Sequence, residues 1–486
     1  MKRAVLMLAL VLAPGVSAQT AASTRLSAKD LQSDVAILRR AYETLHPGLQ
    51  RYNTPEQMDR AFRDLGLEFQ RDRTLAEAYL AFSVFAAKVR CGHTYPNFYN
   101  QTDAVQDALF RAGRVPFYFR WLDGRMIVTR SFAADPRLRA GTEVLSINGH
   151  PAATILERLM TVARADGGND AKRVSYLEVQ GTDRYEAFDV YFPLFFPSSE
   201  SWMTLRVRNQ EETTLQVQPL TDEQRLAPIK GREEAREGDT PIWDFRLDAG
   251  VGYLRMPTWA LYDSKWDWKA FLGQSFETLV KSQATNLVID LRGNEGGQSV
   301  GDVILSHLIT KDLPEQSLTR RVRYRKVPDD LVPYLDTWDP SFKDWGSSAV
   351  DSKDGFYRLT RYDDDERGSV IKPALPTFKG RVWVLVGASN SSATFELAQT
   401  VQQNRLGMLV GQPTGGNQRG INGGAFFFLR LPGSKIELDL PLIGTFPDGD
   451  RPDAGLEPDI QVIPTVEDIA SGRDAEMEAV RAELKK

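Results

Sequence analysis

The chain has 486 residues, 42% of them hydrophobic, which is enough for two to four domains with real cores. Its net charge is −5 with Lys and Arg dispersed, so it offers no basic nucleic-acid surface; four histidines without a His-x-x-x-His pair argue against a His-based zinc site. The single cysteine, Cys91, excludes an internal disulfide and a Cys-based metal site.

Met1-Lys2-Arg3 is followed by an apolar run from Ala4 to Ala13 and by Val16-Ser17-Ala18. A basic start, a short apolar segment and a small-x-small ending predict a signal peptide over 1–18, cleaved after Ala18. The expected protein is therefore periplasmic or secreted, with no stable membrane anchor. From 19 to 113 the pattern is helical, with apolar residues at Leu31, Val35, Leu38, Tyr42 and Leu45 and again at Met58, Phe62 and Leu65. Ser27, Thr54-Pro55 and Thr74 read as helix starts. This helical N-terminal domain ends in Gly92-His93-Thr94, which places the histidine on a loop.

Residues 114–220 turn to strands, and Gly141-Thr142-Glu143-Val144-Leu145-Ser146-Ile147-Asn148-Gly149 resembles the strand and tight turn of the peptide-binding PDZ module. Thr142 and Glu143 stand where that module usually has an aspartate. The resemblance implies a PDZ-like β domain, and strand addition as its way of binding peptide. Residues 165–197 read as an irregular insertion, and the charged stretch 221–240 as a linker.

The last domain, 241–470, alternates strands and helices. Gly252–Met256 and Asn286–Asp290 are strands flanking a helix near 269–281, and Asp290-Leu291-Arg292-Gly293-Asn294-Glu295-Gly296-Gly297 follows the second of them. The stretch 312–376 has no clear periodicity and reads as an insertion near the mouth of a site. Val382–Val386 is a buried strand, broken by Gly387; a turn of small residues, Ala388 to Ser392, then opens a helix, and a further strand ends at Gly411-Gln412-Pro413-Thr414-Gly415-Gly416. Ala425–Leu431 and Lys435–Leu440 form a hairpin, and 471–486 is a helical tail. A serine where a helix starts has free backbone N–H groups beside it and a dipole that favours an oxyanion. It can equally be a simple N-cap.

Ser392-Ala393-Thr394, the G-x-P-T-x-G loop and D-x-R-x-N-x-G-G resemble, in this order, the tail-specific or carboxyl-terminal processing serine peptidases. The resemblance implies a multi-domain α/β protein whose last domain has the ClpP/crotonase-like fold. It also implies peptide-bond hydrolysis through an acyl-enzyme on Ser392, with an oxyanion hole made by the N–H groups of Gly297 and Ala393. It further implies substrate binding by Asn294, Gly296 and Thr414, a peptide or protein substrate, and no cofactor. Many members place a lysine base after P-T, where this chain has Asn417. An amide nitrogen is not basic. His93 matches the general base of the family's tricorn-like branch, a serine–histidine branch. There the acid that orients the histidine lies near a terminal signature that Gly455-Leu456-Glu457-Pro458-Asp459-Ile460 resembles, which gives Asp453 first, then Asp450; Glu396, one turn into the nucleophile helix, is third. Two readings from other classes stay open: a non-catalytic binder of peptides or apolar ligands, its pocket lined by Phe426-Phe427-Phe428, and an esterase or amidase.

Overall fold

The computed structural model describes residues 24–314, 318–352, 354–362 and 370–486; the expected signal segment, 1–18, lies outside them. The first helices begin where the sequence supplies caps. Ser27 Oγ accepts the Asp30 N–H at the start of α1 (Ala28–Leu45). Thr54 and Thr74 each form a full capping box, with Gln57 and Glu77, at the starts of α2 (Pro55–Glu68) and α3 (Leu75–Lys88).

The middle of the chain is an antiparallel sheet in simple chain order. Its main path is β1 (Phe117–Leu122), β2 (Arg125–Ser131), β3 (Glu143–Ile147) and, after an excursion that contains the short helix α4 (Asp170–Tyr176), β4 (Met203–Arg208) and β5 (Glu212–Val217), with the two-residue strand His150–Pro151 paired to β3. The Asn148-Gly149 turn has φ of 49° and 81°, both left-handed, as an Asn-Gly hairpin turn requires. The stretch 221–240 is not a loose linker. It forms two short helices, Asp222–Leu226 and Lys230–Glu237, and Arg225 is buried with its Nε 2.9 Å from Asp189 Oδ2. A charge buried against a partner ties this stretch to the middle domain, whereas the sequence pattern alone reads it as a solvated run.

The remaining elements are β6 (Asp244–Asp248), β7 (Val251–Arg255), α5 (Trp268–Lys281), β8 (Asn286–Asp290), β9 (Leu318–Val322), β10 (Arg381–Val386) and α6 (Ala393–Gln403). They continue with β11 (Met408–Gly411), β12 (Asn422–Arg430), β13 (Glu437–Pro447), β14 (Ile460–Gln461) and α7 (Ala475–Leu484). One sheet runs β14-β11-β10-β8-β7-β6, parallel throughout except for β6 at the edge. Its carboxyl ends, at Asp290, Val386 and Gly411, carry the three motif loops, the usual place for a site in an open parallel sheet.

The hairpin of β12 and β13 builds a second sheet. Its other strands are β9 and the short segments Leu335–Asp336, Ala349–Asp351 and Tyr357–Leu359. So 312–376 contributes strands to a sheet; they are only two to five residues long, too short to show a period of two. A continuous apolar core joins the N-terminal helices (Phe82, Phe85), the middle sheet (Phe119, Ile147) and this hairpin (Phe427, Leu440). The parallel sheet has its own core, with Leu254, Ile289, Val384 and Val401.

Candidate active site

The turn between β10 and α6 is fixed by short polar side chains. Asn390 is fully buried; its Oδ1 accepts the Gly387 N–H (2.7 Å), and its Nδ2 donates to Leu291 O (2.6 Å) and Asn294 O (2.9 Å). Ser389 Oγ accepts the Gly293 N–H at 3.0 Å, and Ser391 Oγ donates to Glu295 O at 3.2 Å. Thr394 Oγ1 donates to Asn294 O at 3.1 Å. Four side chains thus stitch the serine-rich turn to the loop after β8. Ser392 is the exception. It opens α6 at φ 52° and ψ −132°, a strained conformation for a residue with a Cβ, and its side chain makes no capping hydrogen bond. The N-cap reading therefore fails for this serine.

Across from it lie two glycines that no other residue could replace without moving the backbone. A Cβ on Gly296 (φ 100°) would stand 2.8 Å from Ser391 O and 3.0 Å from both Ala393 N and Ser392 Cβ. One on Gly297 (φ 139°) would stand 2.2 Å from Trp259 O. The Gly296 N–H donates to Asn294 Oδ1 at 2.9 Å and is thereby occupied.

The three residues expected to bind substrate do not present polar groups to one. Asn294 is fully buried, with its Nδ2 on Met256 O at 2.8 Å and its Oδ1 on Gly296 N–H. Thr414 is fully buried, its Oγ1 accepting the Leu456 N–H at 2.8 Å. Gly296 is buried against the serine turn. Their hydrogen bonds are internal, so they brace the loops. Asp290 and Arg292 brace as well, the guanidinium joining Asp290 to Asp474, the N-cap of α7 (2.7 Å each), and reaching Glu476 at 3.2 Å.

His93 is half-buried, its ring 5.8 Å from that of Phe426, and its buried Nδ1 has no hydrogen-bond partner among the described residues. The loop that carries it docks on β13: Asp439 N–H donates to Tyr95 O (3.0 Å), and the Asp439 carboxylate accepts from Asn97 (2.7 Å) and Asn100 (2.8 Å). Burial pulls the imidazole below its ordinary pKa, which favours the neutral ring. Asp166 and, more weakly, Glu295 pull the other way, while Arg164 and Lys172 add to the lowering. Asp166 accepts the N–H of Gly92 at 3.0 Å and lines, with Phe395, Asn417 and Ile421, the small cavity of about 30 Å³ onto which Ser392 opens. Asp166 thus bonds the histidine loop and lines the cavity at the serine.

Asp453, expected to orient the histidine, makes no hydrogen bond to it. Its Oδ1 accepts from Asn417 Nδ2 (2.7 Å) and from Gly168 N–H (2.9 Å). Asn417 Nδ2 also donates to Asp166 O at 3.2 Å, and its Oδ1 accepts the Arg419 N–H at 2.9 Å. The amide at the family's lysine position is thus a buried strut between Asp453 and Asp166. Asp450 is exposed, and Glu396 lines the serine cavity from the first turn of α6.

The residues that sequence reading missed all lie in 164–172. Arg164 donates to Gly92 O and Asp166 accepts the Gly92 N–H beside the histidine, Lys172 donates to Ser389 O in the serine turn, and only the Gly-Gly-Asn turn at 167–169 hints at a built loop there. A much larger cavity, about 1090 Å³, lies on the far side of Ser389, between the middle domain and the parallel sheet. Neither Ser392 nor His93 lines it. The run Phe426-Phe427-Phe428 alternates across β12: Phe427 is fully buried and its neighbours are half-buried on the other face, so it lines no single pocket.

Residues 250–462 match the model of peptidase family S41. Among solved structures, mature CPAF complexed with lactacystin is similar over 94% of this chain and 97% of that one, at 15% identity and a TM-score of 0.62. Mature CPAF alone is similar over 93% and 96%, again at 15% identity, with a TM-score of 0.60. The photosystem II D1 C-terminal processing protease covers 92% of this chain and 98% of its own at 15% identity, with a TM-score of 0.39. The CPAF structures share this fold over nearly its whole length. No curated protein matches the chain in sequence.

Proposed function

We propose that this chain, whose residues 250–462 match the model of peptidase family S41, is a serine-type peptidase with Ser392 as its nucleophile and His93 as its general base. The observation that carries this reading is Ser392 itself, which opens α6 at φ 52° without capping it and faces the Gly296-Gly297 turn. Strain held at one residue by a fully bonded surround is typical of a functional position.

In the proposed reaction Ser392 Oγ attacks the carbonyl carbon of a peptide bond while its proton passes to His93. The oxyanion formed meets the N–H groups of Gly297 and Ala393. When the C–N bond breaks, the imidazolium returns its proton to the leaving amine, leaving an ester on Ser392. Water then attacks that ester, giving its proton to His93, and Ser392 Oγ leaves as the alcohol. Asp166 supplies the negative charge that stabilises the imidazolium, and Asp453 holds Asn417 behind it. We further propose that residues 1–18 direct export and that the middle domain takes peptide by strand addition; amino-terminal sequencing of the mature protein starting at Gln19 checks the first.

The test is digestion of a mixture of unstructured peptides, with new termini read by mass spectrometry. The wild type is expected to create them and Ser392→Ala to create none. Hydrolysis of a nitrophenyl ester with no new peptide termini would instead make the chain an esterase.

A further inference from the structure

Lys172 is a charged group beside the serine turn that neither the sequence motifs nor the reaction above uses. It sits in α4, in the middle domain, yet its ammonium reaches both sides of the proposed oxyanion hole. Nζ donates to Glu295 Oε1 at 2.5 Å and to Ser389 O at 3.0 Å, and the side chain is 6% exposed. Glu295 lies between Asn294 and the Gly296-Gly297 pair, and Ser389 begins the turn that ends at Ser392.

The lysine is aimed by its own helix. Asn169 Oδ1 accepts the Lys172 N–H at 3.1 Å, and Asn169 Nδ2 donates to Thr414 O and Gly416 O, each at 2.9 Å. The lysine stem packs where Gly415 leaves room, since a Cβ there would stand 2.9 Å from Lys172 Cδ. Lys172 and Arg164 hold the Glu295 carboxyl, whose side chain is half exposed, at about 2, while burial pulls the Lys172 ammonium below its ordinary range against the pull of Glu295. Among the described residues the other side-chain bonds that join the two loops are between neutral groups, and this link is charged.

We propose that Lys172 is a positioning residue for peptide hydrolysis: by bridging Glu295 Oε1 and Ser389 O, its ammonium sets the spacing between Gly297 N–H and the Ser392 hydroxyl. The proposal rests on the reading of Ser392 as nucleophile. A compact ammonium on a flexible stem can meet a carboxylate and a carbonyl at once, which a planar guanidinium does less well. Misplacing a catalytic group by about 1 Å costs roughly 100-fold in rate. The competing account is an ion pair that only holds the middle domain on the catalytic one. Under that account, removing both charges together relieves the damage of removing one.

The experiment compares Lys172→Met, Glu295→Gln, the double variant and Lys172→Arg in the full-length protein, measuring kcat and KM on a peptide substrate and the thermal midpoint. For Lys172→Met, kcat is expected to fall about 100-fold with KM within about twofold. The double variant should be no faster, because Ser389 O remains unheld. Lys172→Arg keeps the charge and so the fold, and should lose about tenfold in kcat at an unchanged thermal midpoint. Recovery of the double variant to near the wild-type rate, or wild-type kcat in Lys172→Arg, would overturn the proposal. So would loss of the rising limb of the pH profile in Lys172→Met, which would make Lys172 the proton acceptor. Failure of the nucleophile reading is separable, because it would show as equal fluorophosphonate labelling of the wild type and Ser392→Ala.

Discussion

Ser392→Ala is expected to lower kcat by about 10⁶-fold, the scale seen when an acyl-enzyme nucleophile is removed, and to leave the thermal midpoint unchanged. The second half of that expectation follows from the turn. The Ser392 hydroxyl caps nothing, so its loss leaves no capping bond unmet, and alanine keeps the Cβ in the same strained backbone. Its neighbours should behave in the opposite way. Ser389→Ala orphans the Gly293 N–H, and Ser391→Ala removes the donor to Glu295 O. Each should cost about 1 kcal/mol of stability and no more than about tenfold in kcat. Steady-state kinetics and thermal melts on the three variants check this. If Ser391→Ala were the dead variant, the nucleophile would lie one residue earlier.

Removing the base should cost less. His93→Ala is expected to lower kcat/KM by about 100- to 10,000-fold, the range for a general base. The pH profile carries the more specific information. His93 must be neutral to take the Ser392 proton, so kcat/KM should rise with pH through its pKa and then level off. Burial disfavours the imidazolium and outweighs the opposing pull of Asp166, so that limb should lie below the ordinary histidine value of about 6.5. Asp166→Asn removes the negative charge and should shift the limb to lower pH, whereas His93→Ala should delete it. A limb well above pH 7 that survives in His93→Ala would point to a lysine base. Asn417→Lys is not expected to restore a His93→Ala enzyme, because the amide it replaces is bonded into a strut between Asp453 and Asp166.

Local patterns made the centre of the site legible. The strand at 381–386, its turn and the helix from Ala393 show in an apolar run, a glycine and a periodic face, all within two dozen residues. The caps at Thr54 and Thr74 are equally local. What the sequence concealed is what depends on folding. Asn294 and Thr414 sit inside motifs and so read as substrate contacts, and only burial turns them into struts. Asp453 lies where a relative would place its acid, but Asn417 and Gly168 occupy its oxygen. Arg164, Asp166 and Lys172 belong to an aperiodic stretch more than 200 residues before the serine in the chain, and no spacing rule links the two. The short strands within 312–376 exist because the hairpin of β12 and β13 offers them partners.

Treatment with a fluorophosphonate probe at pH 7.5, followed by peptide mapping by mass spectrometry, tests the central claim most directly. One adduct per chain on Ser392, formed much more slowly in His93→Ala, is the result this account predicts. No adduct, or an adduct on Ser389 or Ser391, would contradict it.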